Sequence, residues 1–177
     1  MRNKRIKELV LMGICLAIMI VCSKISFLIG AIPLTLQTFA VFICSLILGW
    51  KAIFVFIIYI GLGLVGLPVF STGGGLAYIY SPSFGFIIGF AVASPVIGIA
   101  SKSQKSYLKY VTSLLGLLII DIMGVIYMYY IFNVYQNGDK SLLAIIQIGV
   151  LPFIIKDIIV AVLSCVIYSR IKIVLDN

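Results

Sequence analysis

The sequence predicts an all-α integral membrane protein in which residues 1–177 form a single membrane domain of six transmembrane helices. Of its 177 residues, 63% are hydrophobic and only 10% are charged, whereas a soluble domain is roughly a quarter charged. The mean hydropathy is +1.28. Because a membrane-spanning helix needs about 20 mostly apolar residues, the chain has room for about five to seven spans and little outside the bilayer.

Glycine, proline and charged residues divide the apolar sequence into six runs. The first follows the basic segment MRNKRIK. It is predicted to stay in the protein as a helix and not to be a cleaved signal peptide. The second and third are short, because Gly49-Trp50-Lys51 and Gly66-Leu67-Pro68 interrupt them. Short joints separate the last three. The predicted helices lie near residues 8–28, 38–50, 52–66, 84–101, 108–132 and 147–170.

The distribution of basic residues predicts the orientation, since Lys and Arg accumulate on the cytoplasmic side of membrane proteins. With the N-terminus inside, only Lys24, Lys140 and Lys156 lie on the outer side, and both termini are cytoplasmic. The net charge of +8 then follows from topology, so we expect no nucleic-acid partner. The predicted cytoplasmic set is Arg2, Lys4, Arg5, Lys7, Lys51, Lys102, Lys105, Lys109, Arg170 and Lys172.

The sequence lacks the residues of the common catalytic and metal sites. It contains no histidine and no G-x-x-x-x-G-K-[ST] motif, and its four cysteines form no C-x-x-C pair. We therefore expect no catalytic residue, no metal and no cofactor, and a protein that is not an enzyme. Any energy from ATP must come from a partner.

Residues 66–86 form an uncharged segment with three consecutive glycines and five aromatic rings. Non-helical backbone near the membrane must be satisfied by protein, water or ligand. The aromatic content favours a folded lid over an apolar ligand, with an interfacial aromatic belt as the alternative. The other outer joint, Gly30–Gln37, adds Thr35 and Gln37 beside this lid. Alternatively, Gln37 and Thr38 cap the second helix.

Two carboxylates lie inside predicted spans. Asp121 falls near mid-bilayer, where a charge is costly, so it should face the bundle interior, be protonated or have a partner. Asp157 lies near the outer end of the sixth helix, next to Lys156. It either accepts N–H groups from a ligand or forms a local ion pair with Lys156, and the residues alone leave these readings open.

Four segments carry a resemblance that covers nearly the whole chain. They are IPLTLQTF (32–39), YIGLGLVGLPVFSTGGG (59–75), SPSFGFIIGF (81–90) and LPFIIKDIIVA (151–161). Together they resemble the BioY-type S components, the biotin-binding membrane subunits of energy-coupling factor (ECF) vitamin transporters. The resemblance implies a protein of the prokaryotic cell membrane that binds biotin with high affinity in an outward-facing pocket, covered by the 29–37 and 67–83 loops.

The resemblance also implies partners and site residues. The partners are a transmembrane T component and two ATPase subunits. Gly13 and Ala17, small residues four apart on the first helix, are the candidates for contact with the T component, and packing within the chain is the alternative. The predicted substrate-binding residues are Thr35, Gln37, Phe70, Gly74, Tyr78, Asp121, Lys156 and Asp157.

The sequence departs from the family pattern in the sixth helix. That pattern resembles P-F-x-x-G-D-x-x-K, and here Asp157 matches the Asp, Val160 replaces the Lys and Lys156 replaces the Gly. A buried ligand carboxylate needs a cation, which Lys156, one helical turn from Val160, can supply, with Lys24 at the outer end of the first helix as the weaker candidate. The alternatives are a changed ligand, such as lipoate or a biotin precursor, and a membrane scaffold subunit that binds a protein.

Overall fold

A computed structural model describes residues 2–29, 32–103 and 105–175. Gly30 and Ala31 of the predicted outer loop lie outside the described residues. The described part contains seven α-helices and one short β-hairpin. In chain order they are α1 (Arg2–Lys24), β1 (Ser26–Ile29), β2 (Ile32–Thr35), α2 (Gln37–Leu48), α3 (Ala52–Leu64), α4 (Phe84–Gly98), α5 (Leu108–Tyr129), α6 (Leu142–Gly149) and α7 (Leu151–Leu175).

The described residues include five helical stretches that are long and apolar enough to cross a membrane, and α6 is one helix more. One of the five, Gln37–Leu64, contains both α2 and α3. The two helices are separated at Gly49, whose φ of 64° is left-handed and favours glycine. With 12 and 13 residues, each reaches only about 18–20 Å at a rise of about 1.5 Å per residue. The coarse prediction of an all-helical membrane fold is confirmed.

The predicted first helix is wrong at its C-terminal end, because the sequence predicts a helix to residue 28 and the structure has a strand of the hairpin there. Helix α1 ends at Lys24 instead, and Ser26–Ile29 pairs antiparallel with Ile32–Thr35. A short apolar run is compatible with either a strand or a helix, so the hydrophobic pattern did not distinguish them. The hairpin thus forms much of the predicted outer loop.

The last predicted helix also begins elsewhere. Helix α7 starts at Leu151, and the separate helix α6 precedes it, with the break at Val150. Pro152 explains this boundary, because a proline is tolerated in the first turn of a helix but clashes with the preceding turn in the interior. Beyond α5, the chain continues as a wider π-helical turn, Tyr130–Tyr135, past the predicted end at residue 132.

Glycines allow the central helices to approach closely. A Cβ at Gly85 of α4 would lie 2.2 Å from the Cβ of Tyr127 on α5, and one at Gly89 would lie 3.0 Å from the Cα of Ile120. Helix α2 packs against α1, α4 and α7, and nearly all its side chains are buried. These packed helices support a cleft at the end of the bundle away from the chain termini.

Candidate functional site

The cleft lies where the hairpin, the segment 65–83 and the adjoining ends of α2, α4 and α7 meet the middle of α5. It contains about 530 Å³ of space free of protein atoms, including its open mouth. Its lining residues are Ile32, Pro33, Thr35, Gln37, Thr38, Ser71, Tyr78, Ser83, Phe86, Ile87, Phe90, Ile120, Asp121, Gly149, Phe153, Lys156 and Asp157.

One wall holds an ion pair. The Nζ of Lys156 lies 2.7 Å from Oδ1 of Asp157 and donates a hydrogen bond of 2.8 Å to the backbone carbonyl of Thr35. Thr38 donates to the same Oδ1 at 2.7 Å, and its hydroxyl lies 3.4 Å from Lys156. Asp157 is only 5% exposed. The local ion pair that the sequence left open is therefore formed, and it faces the cleft.

A chain of hydrogen bonds links the hairpin to the segment 65–83. The Thr35 hydroxyl donates to the amide oxygen of Gln37 at 3.0 Å, and the Gln37 amide nitrogen donates to the Tyr59 hydroxyl at 2.9 Å. Tyr59 in turn donates to the carbonyl of Val69 at 2.9 Å. Gln37 and Thr38 thus use their side chains in tertiary contacts rather than in capping α2, which has no side-chain cap.

A row of hydroxyl groups forms a second polar wall. The Tyr78 hydroxyl lies 3.2 Å from that of Ser71 and 3.4 Å from that of Ser83, which is 2.8 Å from that of Ser81. In each pair either oxygen can donate. Such groups can rearrange to donate to a carbonyl or to accept from an N–H, so the row suits a ligand that offers both.

Two predicted binding residues, Phe70 and Gly74, do not line the cleft. Phe70 is fully buried and packs against Tyr59 and Tyr78, with ring centroids 5.4 and 4.4 Å away. At Gly74 a Cβ would lie 2.1 Å from the carbonyl oxygen of Leu67. Phe70 therefore packs in the protein interior, and the exposed Gly74 lets the backbone of the segment 65–83 approach itself closely.

The apolar surface of the cleft was not predicted from the sequence. Phe90 of α4, Ile120 of α5 and Phe153 of α7 form part of it. These helices are hydrophobic on most sides, so periodicity does not separate a pocket-facing ring from one that faces lipid. The signal that could have found two of them is closeness in the sequence to predicted binding residues. Ile120 precedes Asp121, and Phe153 lies one turn before Lys156.

Asp121 lines the cleft and is half-buried. None of the described residues donates a hydrogen bond to its carboxylate, and the charged groups that act on it are Asp157 and Lys156. Val160, which stands where the family pattern has a lysine, is 8% exposed, packs in the core and does not line the cleft. Among the described lining residues, Lys156 is the one cation.

The predicted contact residues of the first helix lie apart from the cleft. Gly13 and Ala17 are exposed on α1, and a Cβ at Gly13 would meet no atom within 4 Å. They therefore do not pack within the described part of the chain. Exposed apolar side chains, including Leu9 and Val10, share this helix.

Fold and site together define a multi-pass membrane protein with a cleft for a small molecule at one end. The chain belongs to the BioY family, whose pattern it matches over residues 1–177. It is 36% identical over 169 residues to the "Probable biotin transporter BioY" of Lysinibacillus sphaericus, covering 92% of this chain and 85% of that one. It is 37% identical over 168 residues to the protein of that name from Pyrococcus horikoshii, covering 94% and 96%.

The fold also matches a solved structure. That structure is described as the S-component for biotin from an ECF-type ABC transporter. The match has a TM-score of 0.86 and 27% identity, and it covers 97% of this chain and 94% of that one. Membership of the BioY family was thus correctly predicted from the four sequence segments.

Proposed function

We infer that this protein is the substrate-binding S component of an ECF-type transporter and that its ligand is biotin. The observation that supports this most directly is a cleft that combines a cation, a row of hydroxyl groups and an apolar wall, in a chain whose family members are named biotin transporters. Biotin has matching parts: a carboxylate, a ureido group, and an apolar ring and chain.

Lys156 binds the carboxylate of biotin in this proposal. Its ammonium group is held at the cleft by the carbonyl of Thr35 and by Asp157. A desolvated carboxylate without a cation would cost several kcal/mol, and Val160 cannot supply the charge. Lys156 therefore takes over, from one helical turn away, the role that the family pattern gives to a lysine at position 160.

The remaining groups of the cleft bind the other parts of the ligand. Asp157 holds the ammonium group of Lys156 in place, and the hydroxyls of Ser71, Tyr78 and Ser83 bind the ureido group. The aliphatic chain lies against the apolar wall that includes Phe90, where burial of each CH₂ contributes about 0.8 kcal/mol. Thr35 and Gln37 hold the hairpin in position at the mouth.

Transport requires partners that this chain lacks. We propose that both termini are cytoplasmic, that the cleft opens outward, and that a T component with two ATPases completes the transporter. The exposed face of α1 with Gly13 and Ala17 is the proposed contact with the T component, because small residues let helices approach closely in membranes. ATP hydrolysis then belongs to the partners.

Calorimetric titration of the purified protein tests the choice of ligand. Biotin, a biotin precursor and lipoate are titrated separately into protein in detergent, after mass spectrometry of any molecule that co-purifies. Saturable binding of biotin, tighter than that of the other two acids, supports the proposal. Binding of lipoate or the precursor alone would mean a changed ligand, and binding of none of them would favour a scaffold subunit.

A further inference from the structure

The charges lining the cleft do not balance. Among the described lining residues, the carboxylates of Asp121 and Asp157 face a single ammonium group, that of Lys156. When both carboxylates are ionised, two negative charges and one positive charge give the cleft a net charge of −1. An anionic ligand has to enter a cleft that is already negative, which is unfavourable where little water screens the charges.

Lys156 is already engaged by protein groups. Its Nζ contacts Oδ1 of Asp157 at 2.7 Å and the carbonyl of Thr35 at 2.8 Å, with the hydroxyl of Thr38 at 3.4 Å. An ammonium group has three donors, and each has a protein acceptor here, the most distant being the Thr38 hydroxyl, which a ligand carboxylate can replace. The charge of Lys156 is offset by Asp157, so it does not neutralise Asp121 as well.

The surroundings of Asp121 offer it no other partner among the described residues. Helix α4 presents Phe86, Ile87 and Phe90 to the cleft, and the hairpin presents Ile32. Helix α7 presents Phe153 and the ion pair, and the segment 65–83 presents the titratable hydroxyl of Tyr78 beside two serines. The charged groups that act on Asp121 are Asp157 and Lys156.

We propose that the cleft binds its acid ligand together with one proton, and that Asp121 holds this proton. The Asp121 carboxylate takes one H⁺ from solvent and becomes a neutral carboxylic acid, while the ligand carboxylate stays ionised beside Lys156. The charge of the loaded cleft, counted as −1 for the protein, −1 for the ligand and +1 for the proton, stays at −1. The new O–H then donates a hydrogen bond to the ligand. This inference rests on the proposed function in requiring a carboxylic acid ligand.

Calorimetry in two buffers measures the proton directly. At each pH, biotin is titrated in two buffers that both work at that pH and whose heats of ionisation differ, such as phosphate and Tris near pH 8, so the difference in binding enthalpy gives the protons taken up per ligand. From pH 5.5 to 8.5 we expect uptake to rise to about one proton, and the dissociation constant to rise about tenfold per pH unit in the alkaline part, as linkage requires for one proton. Biotin methyl ester, which carries no charge, should bind without uptake.

Two variants locate the proton. Asp121→Asn should still bind biotin, with no proton uptake and no pH dependence, because an amide keeps a donor where the acid has its O–H. Asp139→Asn, which changes an exposed carboxylate outside the cleft, should behave like the original chain.

Several outcomes overturn the proposal. Biotin binding without proton uptake at any of these pH values would mean that the protonation of Asp121 does not change when the ligand binds. Uptake that persists in Asp121→Asn would assign the proton to another group, and uptake with the methyl ester would uncouple it from the ligand's charge. The original chain alone decides the first and third outcomes, even if Asp121→Asn fails to fold. If neither biotin nor the ester binds, the proposed function has failed and this inference fails with it.

Discussion

Asp157 and Lys156 are neighbours in the sequence, and they form one ion pair in the lining of the cleft. Asp157 is 5% exposed and accepts from Thr38 on α2, so it connects two helices as well as facing the ligand. The longer side chain of Lys156 reaches round to the carbonyl of Thr35 in β2. Together they bring α7, α2 and the hairpin to one site.

Asp157→Asn should weaken biotin binding by about 10- to 150-fold, because it replaces a charged hydrogen-bond acceptor. A hydrogen bond to a charged group contributes about 1.5–3 kcal/mol. The measurement is calorimetric titration at one fixed pH. Asp139→Asn, outside the cleft, is the matched control. An Asp157→Asn variant that folds and binds biotin with unchanged affinity would exclude Asp157 from ligand binding.

Sequence reasoning located part of the site at the level of single residues. Six of its eight predicted binding residues line the cleft, because polar groups in an apolar chain are costly unless they serve a purpose. They are Thr35, Gln37, Tyr78, Asp121, Lys156 and Asp157. It misplaced Phe70 and Gly74 because an aromatic ring or a glycine in a loop serves the loop's own packing as readily as a ligand.

Among the elements, the segment 65–83 is anchored to the bundle in part by the ring of Phe70. Phe70 is fully buried, and it lies so close to α3 that a Cβ at Gly63 would be 2.0 Å from its ring. Gly61, on the same helix, is exposed and has no atom within 4 Å of its Cβ position. The segment therefore depends on a small residue at 63 and not at 61.

Gly63→Ala should accordingly destabilise the protein by about 1–3 kcal/mol, the usual cost of overpacking a core. Gly61→Ala, the same change two residues away, should not. Thermal unfolding of both variants in the same detergent compares them. Equal midpoints for the two variants would show that Phe70 does not anchor the segment at α3.

Polar contacts from α1 add a second anchor for this segment. Ser23 donates to the carbonyl of Val69 at 2.6 Å, and Lys24 donates to that of Phe70 at 2.6 Å. Lys24→Met removes one such bond, worth about 0.5–1.5 kcal/mol, so amide hydrogen exchange in residues 69–80 should become about two- to tenfold faster. Lys140→Met, whose ammonium lies over the Phe132 ring, is the control. Unchanged exchange in Lys24→Met would remove Lys24 from the anchor.

The elements show where prediction from sequence ended. Apolar length and the breaks at glycine and proline indicated most helices, since these follow from local chemistry. The hairpin and helix α6 were missed because short apolar segments take their conformation from contacts with other parts of the chain, such as the hydrogen bond from Leu36 N to the Ile25 carbonyl that closes the open end of the hairpin. Periodicity carries no information on such contacts.

At the scale of the whole molecule, basic residues concentrate at the end with the chain termini, opposite the cleft. This asymmetry predicts cytoplasmic termini and an outward cleft. The four native cysteines are buried, so a cysteine introduced at the surface reports its own side of the membrane. Lys105 and Asp139 are exposed positions at the two ends.

In intact cells, a membrane-impermeant maleimide should label Asp139→Cys and leave Lys105→Cys unlabelled, because only the end with the cleft faces outward. Permeabilised cells, in which both variants should react, are the control. The reverse pattern, with Lys105→Cys labelled in intact cells, would invert the proposed topology.

We expect Lys156 to bind the carboxylate of biotin in place of a lysine at position 160. The most direct measurement compares the affinities of biotin and biotin methyl ester for the original chain, Lys156→Met and Lys140→Met at one fixed pH. We predict that Lys156→Met binds biotin about 10- to 150-fold more weakly, because it removes a charged hydrogen bond. Its affinity for the ester should be unchanged. Lys140→Met should bind both ligands as tightly as the original chain. Equal losses of affinity for both ligands, or no loss of affinity for biotin, would mean that Lys156 does not bind the ligand carboxylate.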